Sequence, residues 1–288
     1  MERELFALLL SVLDELDGGR HRPRKCQYTD RDILVVLLWA VLHDRPIDWA
    51  CTRKNWPAHD RTRPLPSGST MSRRLRTESV CDLLLRWLLA TNLVCDDGPL
   101  ILDAKALAIA WHSADPDAGI GRGTGQLSKG YKLHAIVDRD GNLRAFVVFS
   151  LNISEQAAAR KLIDQLPQEH GRVLLADGNY DSNQLYDCAA DKGIQLVAAR
   201  RHKQAKGLGH RRHSPHRLEA LRRMEAESDL LAERRLIEGC FGTLGNVVGG
   251  LSSLPNWVRH WDRVQRWVIG KLLIDAAHRR KRKHANAA

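Results

Sequence analysis

Two aspartates stand where carboxylates of an α/β protein commonly hold metal ions. Asp103 follows the apolar run Leu100–Leu102, and Asp177 follows the apolar run Val173–Ala176. Such near-continuous apolar runs predict central, buried strands, and functional groups gather at the carboxyl ends of strands in an open α/β sheet. Taken singly, either aspartate could instead be a turn or capping residue, and Asp177-Gly178 has the form of a turn dipeptide.

A third carboxylate, Glu238, lies beside the apolar stripe of a predicted helix, four residues after Arg234. One interpretation is an exposed i,i+4 ion pair that contributes about 0.3–0.5 kcal/mol. The other is that Glu238 reaches the edge of the sheet and completes a set with the two aspartates. Three carboxylates gathered there would repel one another and resist burial unless cations neutralised them.

Oxygen ligands of this kind suit Mg²⁺ or Mn²⁺. Two such ions held about 3.5–4 Å apart form the known clamp for in-line displacement at a phosphodiester. The overall charge fits that substrate class, because 45 Lys and Arg residues against 34 Asp and Glu residues give a formal net charge of +11. Such a surplus favours a polyanionic partner, nucleic acid first. The sequence therefore predicts a basic, metal-dependent phosphodiester enzyme.

The elements that must position these residues fall into an N-terminal helical part and a mixed α/β part. Residues 1–97 predict helices, among them one capped by Thr29. From residue 98 onward, predicted strands alternate with helices, and Asp140-Gly141 predicts a hairpin turn. The order of strand, hairpin strands, helix, strand, helix and strand implies an α/β fold with a mixed sheet whose faces carry helices. Asp181 is expected to cap one of these helices.

Three regions follow: a helical N-terminal region over residues 1–97 that could bind DNA, a mixed domain over 98–278 with a basic insertion at about 200–230, and a basic tail over 279–288. Long helices are predicted over Ser228–Val248 and Trp257–Arg280, and the terminal basic run is expected to be frayed. No apolar run is long enough to span a membrane, and the N-terminus lacks the form of a secretory signal. We therefore expect a soluble, internal protein.

The remaining basic and aromatic candidates have two interpretations each. Arg211 and Arg212 lie in the basic insertion, where they would suit phosphate contacts or belong to a solvated loop. A short Arg-rich helix around residues 73–76 gives the outline of a helix-turn-helix DNA reader, and a bundle with a solvated basic face fits it equally. The tryptophans at 111, 257, 261 and 267 are expected to pack inside the protein rather than to stack on bases.

Four segments stand out by their order along the chain: Ile101–Lys105, Ser128–Asp138, Leu175–Asp181 and Arg234–Leu244. Together they resemble the DDE-type transposases of bacterial insertion sequences. The resemblance is to the group whose third acidic residue is a Glu on a helix with an Arg four places before it. It extends over about residues 98 to 270, and four segments in the same order make it specific.

The resemblance implies a ribonuclease-H-like catalytic domain. In that fold the first Asp ends the first strand, the second Asp follows the fourth strand, and the Glu lies on a later helix. Carried over by position, it implies that Asp103, Asp177 and Glu238 are the catalytic residues and the ligands of two divalent cations, Mg or Mn. Arg234 becomes a helper residue on the helix of the Glu, with a role in DNA binding.

The same resemblance suggests that Lys129, Lys132 and His134 face the active-site side of the second strand and contact DNA. An exposed, alternating strand face explains Lys132 and His134 equally well. The chain departs from the family at two positions that help to hold transposon-end DNA. Leu231 stands where the family often has a Tyr, and Gly245 stands where it often has a Lys.

The activity that the resemblance implies is that of a DNA transposase. Such an enzyme binds the terminal inverted repeats of its element, cleaves phosphodiester bonds and transfers the 3′ ends to double-stranded target DNA. It would act as a homodimer or higher multimer on DNA, in the bacterial cytoplasm and on the nucleoid when bound. Two alternatives stay open: a hydrolytic nuclease of the same fold, and a non-catalytic DNA-binding descendant of a transposase.

Overall fold

The computed structural model describes residues 2–17, 27–92, 98–123, 125–201, 212–227, 229–246, 250–251 and 253–287. The chain divides into two compact units. The helical unit combines residues 1–93 with residues 243–288, and the sheet unit consists of residues 94–242. The N-terminal helices and the C-terminal helix therefore pack together, although most of the sheet unit separates them in sequence.

The N-terminal part of the helical unit consists of α1 Glu2–Asp17, α2 Asp30–Leu42, α3 Ile47–Ala50, α4 Gly68–Arg74 and α5 Glu78–Thr91. In α2, every residue from Ile33 to Leu42 is buried. The Thr29 hydroxyl accepts a hydrogen bond from the Asp32 amide, while the Asp32 carboxylate accepts one from the Thr29 amide. This capping box satisfies two amides that the helix itself leaves unpaired, and the predicted cap is confirmed.

The sheet unit contains the strands β1 Leu100–Ile109, β2 Gly119–Arg122, β3 Leu127–Val137, β4 Leu143–Ser150, β5 Arg172–Ala176 and β6 Ile194–Ala198. Within the described residues they form one sheet in the order β2-β3-β1-β5-β6, and β4 also pairs with β3. β5 is parallel to β1 and to β6, whereas β3 is antiparallel to β1, β2 and β4. The predicted hairpin is confirmed, and Gly141 in its turn has a φ of 81°, which glycine adopts without strain.

Helices cover this sheet as expected. They are α6 Glu155–Gln165, α7 Asn183–Asp191 and α8 Pro215–Ala226. α6 packs against β3, β4 and α7, whereas α7 and α8 pack against β6. Their apolar side chains share a core with Leu102, Leu174 and Tyr186. The structure confirms the predicted α/β fold class, with a mixed sheet flanked by helices together with an N-terminal helical region.

Two predicted helices differ from the structure. The prediction of a single helix over Ser228–Val248 is wrong in its first part. A 3₁₀ turn over Leu230–Arg234 precedes α9, Arg235–Asn246. Such turns are common at helix N-termini, and Ser228 and Val248 themselves lie outside the described residues. The last helix, α10, spans Trp261–Ala287. It therefore begins later than predicted and continues through the basic run that we expected to be frayed, where Arg and Lys favour a helix.

The two units do not coincide with the predicted regions. Residues 243–278 were expected to belong to the mixed domain, but they group with the helical unit, in which α10 packs against α1, α2 and α5. The predicted boundaries of a catalytic domain stay a prediction. In the part of the chain that the structure describes, no helix has the length and apolar character needed to cross a membrane.

Candidate active site

The pairing of β1 with β5 places Asp103 and Asp177 at the same level of the sheet. The two strands are parallel, and their last paired residues are Ile101 and Leu175. Each aspartate lies two residues beyond its paired residue, so both follow the point where the two strands part. The prediction that Asp103 ends its strand is wrong, because β1 continues to Ile109 by pairing with β3.

The Asp103 carboxylate is largely buried, with 21% of its side chain exposed. Its Oδ1 accepts a hydrogen bond from the Ala104 amide at 2.8 Å, and its Oδ2 accepts one from Arg234 Nη1 at 3.3 Å. Burial, together with the charges of Asp177 and Glu155, raises the pKa of Asp103 to about 6 against these two bonds. A buried carboxylate in this state is stabilised by a nearby cation.

Asp177 shapes the turn that follows its strand. Its Oδ1 accepts from the Asn179 amide at 2.9 Å, and its Oδ2 accepts from the Asn179 side-chain amide at 3.3 Å. Burial raises the pKa of Asp177, and the charge of Glu155 acts in the same direction. The aspartate therefore caps a turn, as one interpretation predicted, and also lies within electrostatic reach of other acidic side chains.

Arg234 joins Asp103 to Glu238. Besides its bond to Asp103, its Nη2 donates to Glu238 Oε1 at 3.3 Å. The i,i+4 ion pair that one interpretation predicted is present, and the same guanidinium also reaches the sheet. Glu238 is 60% exposed. The two interpretations of Glu238 are therefore compatible, because one arginine contacts both carboxylates.

The three carboxylates are not gathered at a single point. Among the described residues, the side-chain oxygens of Asp103, Asp177 and Glu238 do not all lie within 4.8 Å of one another, as three ligands of one ion would. The three carboxylates therefore do not form a ready-made set of ligands for a single ion.

A fourth carboxylate, that of Glu155, belongs to the same neighbourhood. Glu155 is the first residue of α6, and its Oε1 accepts from Lys132 Nζ at 2.9 Å. The pair is mostly buried, with 22% of the Glu155 and 12% of the Lys132 side chain exposed. Sequence reasoning missed Glu155 because the helix dipole alone favours an acidic residue in a first turn. No local pattern separates it from an ordinary acidic residue of a first helical turn.

We define the carboxylate cluster as Asp103, Glu155, Asp177 and Glu238 with the cationic side chains of Lys132 and Arg234. Carboxylates outnumber cations in it by four to two. Surplus negative charge and donors that are all oxygen atoms fit hard divalent cations such as Mg²⁺ or Mn²⁺. Arg234 supplies positive charge between Asp103 and Glu238, where a metal ion would also neutralise them.

The basic candidates on β3 have different environments. His134 is fully buried, and burial lowers its pKa to about 4, with the charge of Lys132 acting in the same direction. Because Lys132 is bound to Glu155 and His134 has no solvent exposure, the alternative of an exposed strand face is wrong for both. Lys129 Nζ donates to the Ser113 carbonyl at 2.6 Å. DNA contacts by these three residues stay a prediction.

The other positions singled out in the sequence have no side-chain hydrogen bond or ion pair with the carboxylate cluster among the described residues. Arg211 lies outside the described residues, and Arg212 is exposed, with its carbonyl accepting from the Asn183 side-chain amide at 2.9 Å. Leu231 is partly buried against the hydrophobic core of the sheet, which accounts for an apolar side chain at that position. Gly245 lies near the end of α9. Phosphate contacts by the two arginines stay a prediction.

We expect Glu155→Gln to lower the pKa values of both Asp103 and Asp177. Glu155 adds negative charge near both carboxyls, and removing a like charge favours their ionised forms by up to about one unit. The carboxyl ¹³C chemical shifts in a pH titration measure this. Asp164→Asn, at an exposed position of the same helix, is the control and should move neither value. Unchanged pKa values in Glu155→Gln would contradict the placement of Glu155.

Comparison with known proteins finds a matching family, a similar curated protein and similar solved structures. Residues 95–274, more than half of the chain, match the family described as the transposase DDE domain. A protein named as a transposase for insertion sequence element IS402 of Burkholderia cepacia is 30% identical over 133 residues, which cover 42% of this chain and 63% of that protein. The chain therefore spans less than two thirds of the length of this relative.

One of the similar solved structures is also a transposase. A cryo-EM structure of piggyBac transposase in a synaptic complex with hairpin DNA aligns over 98% of this chain and 74% of that chain, with a TM-score of 0.46 and 10% identity. At that level it carries no argument about function. The match over residues 95–274 confirms the resemblance seen in the sequence. The chain belongs to the family of the transposase DDE domain.

Proposed function

We propose that this chain is a DNA transposase that binds the ends of its element, cleaves phosphodiester bonds there and transfers the 3′ ends to target DNA by two-metal-ion chemistry. The observation that carries the proposal is Arg234, whose guanidinium contacts Asp103 and Glu238 in a chain of this family. We further propose that it acts as a homodimer or higher multimer on paired DNA ends in the bacterial cytoplasm.

Asp103, Asp177 and Glu238 are the residues that would hold the two divalent cations, Mg²⁺ or Mn²⁺. When bound, such cations activate the attacking oxygen and stabilise the leaving oxygen of a phosphodiester. The protein itself fixes the orientation of the ligands. The amides of Ala104 and Asn179 each donate to one aspartate, and rigid orientation of ligands by neighbouring hydrogen bonds supports metal affinity.

The cationic side chains of the carboxylate cluster could also bind the phosphates of DNA. Arg234 neutralises Asp103 and Glu238. If these carboxylates held cations, its guanidinium would be available to donate to a phosphate oxygen of DNA, a bond that arginine makes well. Lys132, bound to Glu155, is a second cation near the site.

One assay separates this function from its two alternatives. Purified protein is incubated with Mg²⁺ or Mn²⁺, with DNA that carries the inverted repeats flanking the gene, and with a target plasmid. We expect joined products, and we expect none with Asp103→Ala. Cleavage without joining would favour a hydrolytic nuclease. Binding without cleavage or joining, unchanged by Asp103→Ala, would contradict both enzymatic functions and favour a non-catalytic descendant.

The affinity for Mn²⁺ should fall steeply below about pH 6. The pKa of Asp103 is raised to about 6, so the carboxyl is protonated below that pH and a bound cation must displace the proton. We expect the affinity to fall about tenfold per pH unit below about pH 6 and to level off above about pH 7. Calorimetric titration with Mn²⁺ at a series of pH values measures the profile. An affinity that stays constant through pH 6 would contradict the role of Asp103 as a ligand.

A further inference from the structure

An open cavity of about 190 Å³ lies within the helical unit. Its floor is apolar and includes the buried side chains of Leu37, Leu75 and Trp267. Trp257 lines it and is 39% exposed, so the expectation that this tryptophan packs inside the protein is wrong. The cavity is smaller than the roughly 300–1,000 Å³ of sites for drug-sized ligands. It suits a single ring system better than a larger ligand.

Arginines surround this cavity, namely Arg45, Arg76, Arg263 and Arg266. The first three are exposed, and none of them has an ion pair with any residue that the structure describes. Among the described residues that line the cavity, Asp48 is the single acidic one. The cavity is therefore a strongly cationic place on the protein surface.

Arg266 shows that these charges lie close together. It is half-buried, and its Nη1 donates to the Leu75 carbonyl at 3.2 Å. Burial lowers the pKa of Arg266, and the charges of Arg76 and Arg263 also lower it, whereas Asp262 raises it. Guanidinium groups that repel one another in this way are stabilised by a bound anion.

Cationic groups around an apolar floor suit a ligand that combines negative charge with a flat, weakly polar ring. A nucleotide within a nucleic acid strand has this form, because arginine binds phosphate oxygens and bases stack on aromatic side chains. A free phosphate ion would use the arginines and leave Trp257 without a contact. A purely apolar ligand would leave the guanidinium groups without an anion.

We propose that this cavity binds an unpaired nucleotide of a DNA strand, with its base against Trp257 and its flanking phosphates on Arg76 and Arg263. The inference rests on the proposed function, because strands cleaved at element ends are the source of such nucleotides. A base pair within continuous duplex has neither face free to stack on Trp257. The cavity therefore distinguishes DNA with an unpaired end from blunt duplex.

The test measures DNA binding in EDTA, where metal-dependent cleavage does not occur. The probes are a duplex with a single-stranded overhang that contains the fluorescent base 2-aminopurine and a blunt duplex of the same sequence. Trp257→Leu is compared with Trp111→Leu, which changes a tryptophan of the sheet unit that is 59% exposed. Trp257→Phe keeps an aromatic ring, and circular dichroism checks that each variant is folded.

We expect Trp257→Leu to weaken binding of the overhang DNA by about fivefold to a hundredfold, the scale for one stacked base, and to abolish quenching of 2-aminopurine. Trp257→Phe should retain most of the affinity and most of the quenching, and Trp111→Leu should match the wild type in both. Arg76→Gln and Arg263→Gln should each reduce the slope of log affinity against log salt by about 0.7. Arg86→Gln, which removes the same charge from an exposed position of α5, should leave the slope unchanged.

Normal affinity and normal quenching in Trp257→Leu would overturn the inference. An equal loss for blunt duplex would also overturn it, because the cavity would then not distinguish unpaired nucleotides. The catalytic proposal fails by a different result, normal cleavage by Asp103→Asn in Mg²⁺. Cleavage does not occur in EDTA, so the binding measurement does not depend on it. A failure of the catalytic proposal can therefore be distinguished from a failure of the proposal for the cavity.

Discussion

Asp103→Asn should slow metal-dependent DNA cleavage about a thousandfold while it makes the protein more stable. The substitution keeps the shape of the side chain and removes a carboxylate from the carboxylate cluster. Losing one electrostatic group at an active site costs about a hundredfold to a thousandfold in rate, and the loss of a carboxylate that would hold the cations should lie at the upper end of that range. DNA binding measured in EDTA should remain, because Asp103 carries no positive charge.

The gain in stability follows from the direction of the pKa shift. The pKa of Asp103 is raised from 3.8 to about 6, so the folded protein binds this proton more tightly than the unfolded chain does. Ionisation of the carboxyl therefore destabilises the fold. The penalty is absent below about pH 4, grows as the pH rises, and reaches at most about 3 kcal/mol above about pH 6. Asparagine has no such penalty at any pH.

Urea unfolding at neutral pH and near pH 4, together with a cleavage assay, measures both effects. Asp140→Asn, at an exposed position of the hairpin turn, is the matched control and should resemble the wild type in both. Wild-type cleavage by Asp103→Asn would contradict its role as a ligand. A lower free energy of unfolding at neutral pH would contradict the electrostatic environment described for it.

Arg217→Met should lower the free energy of unfolding of the sheet unit by about 3–5 kcal/mol. Arg217 donates from Nε and Nη2 to the two oxygens of Asp181, at 2.7 and 2.9 Å. The side chains are only 2% and 5% exposed. Methionine replaces much of the volume and leaves the Asp181 carboxylate buried without this cation. Since Asp181 directly follows the turn that Asp177 caps, the substitution also loosens the segment that holds Asp177.

Arg222→Met supplies a control on the same helix. Arg222 is 74% exposed and pairs with Glu219, and exposed pairs of this kind contribute at most about 1 kcal/mol. The double variant Asp181→Leu with Arg217→Met removes both buried charges and should recover much of the lost stability. If urea unfolding shows that Arg217→Met is as stable as Arg222→Met, the buried pair of Arg217 and Asp181 does not stabilise the fold as described.

The strand before Asp177 could be predicted to within one residue. β5, Arg172–Ala176, contains the predicted apolar run Val173–Ala176, because that run is short, buried and bounded by Arg172 and Asp177. Asp103 was wrongly expected at a strand end, since its apolar run stops at Leu102. The second half of β1 is held by pairing with β3, and such pairing depends on a partner that no local pattern identifies.

Individual side-chain contacts between residues distant in sequence were not predicted. Arg234 reaches across 131 positions to Asp103, and Arg217 reaches across 36 positions to Asp181. Asp181 was expected to cap a helix, but Ser182 holds the N-cap position and the Asp181 carboxylate binds Arg217. Local sequence favours both uses of an aspartate before a helix. Only the fold decides between them, by bringing a buried arginine to the carboxylate.

Crystals grown with Mn²⁺ test most directly whether Asp103, Asp177 and Glu238 hold two divalent cations. Anomalous scattering locates manganese independently of the protein coordinates. We expect two peaks about 3.5–4 Å apart, with oxygens of these three residues among their ligands and with Arg234 no longer bonded to Asp103. Well-occupied manganese peaks elsewhere, with none in contact with Asp103, would contradict the proposed active site.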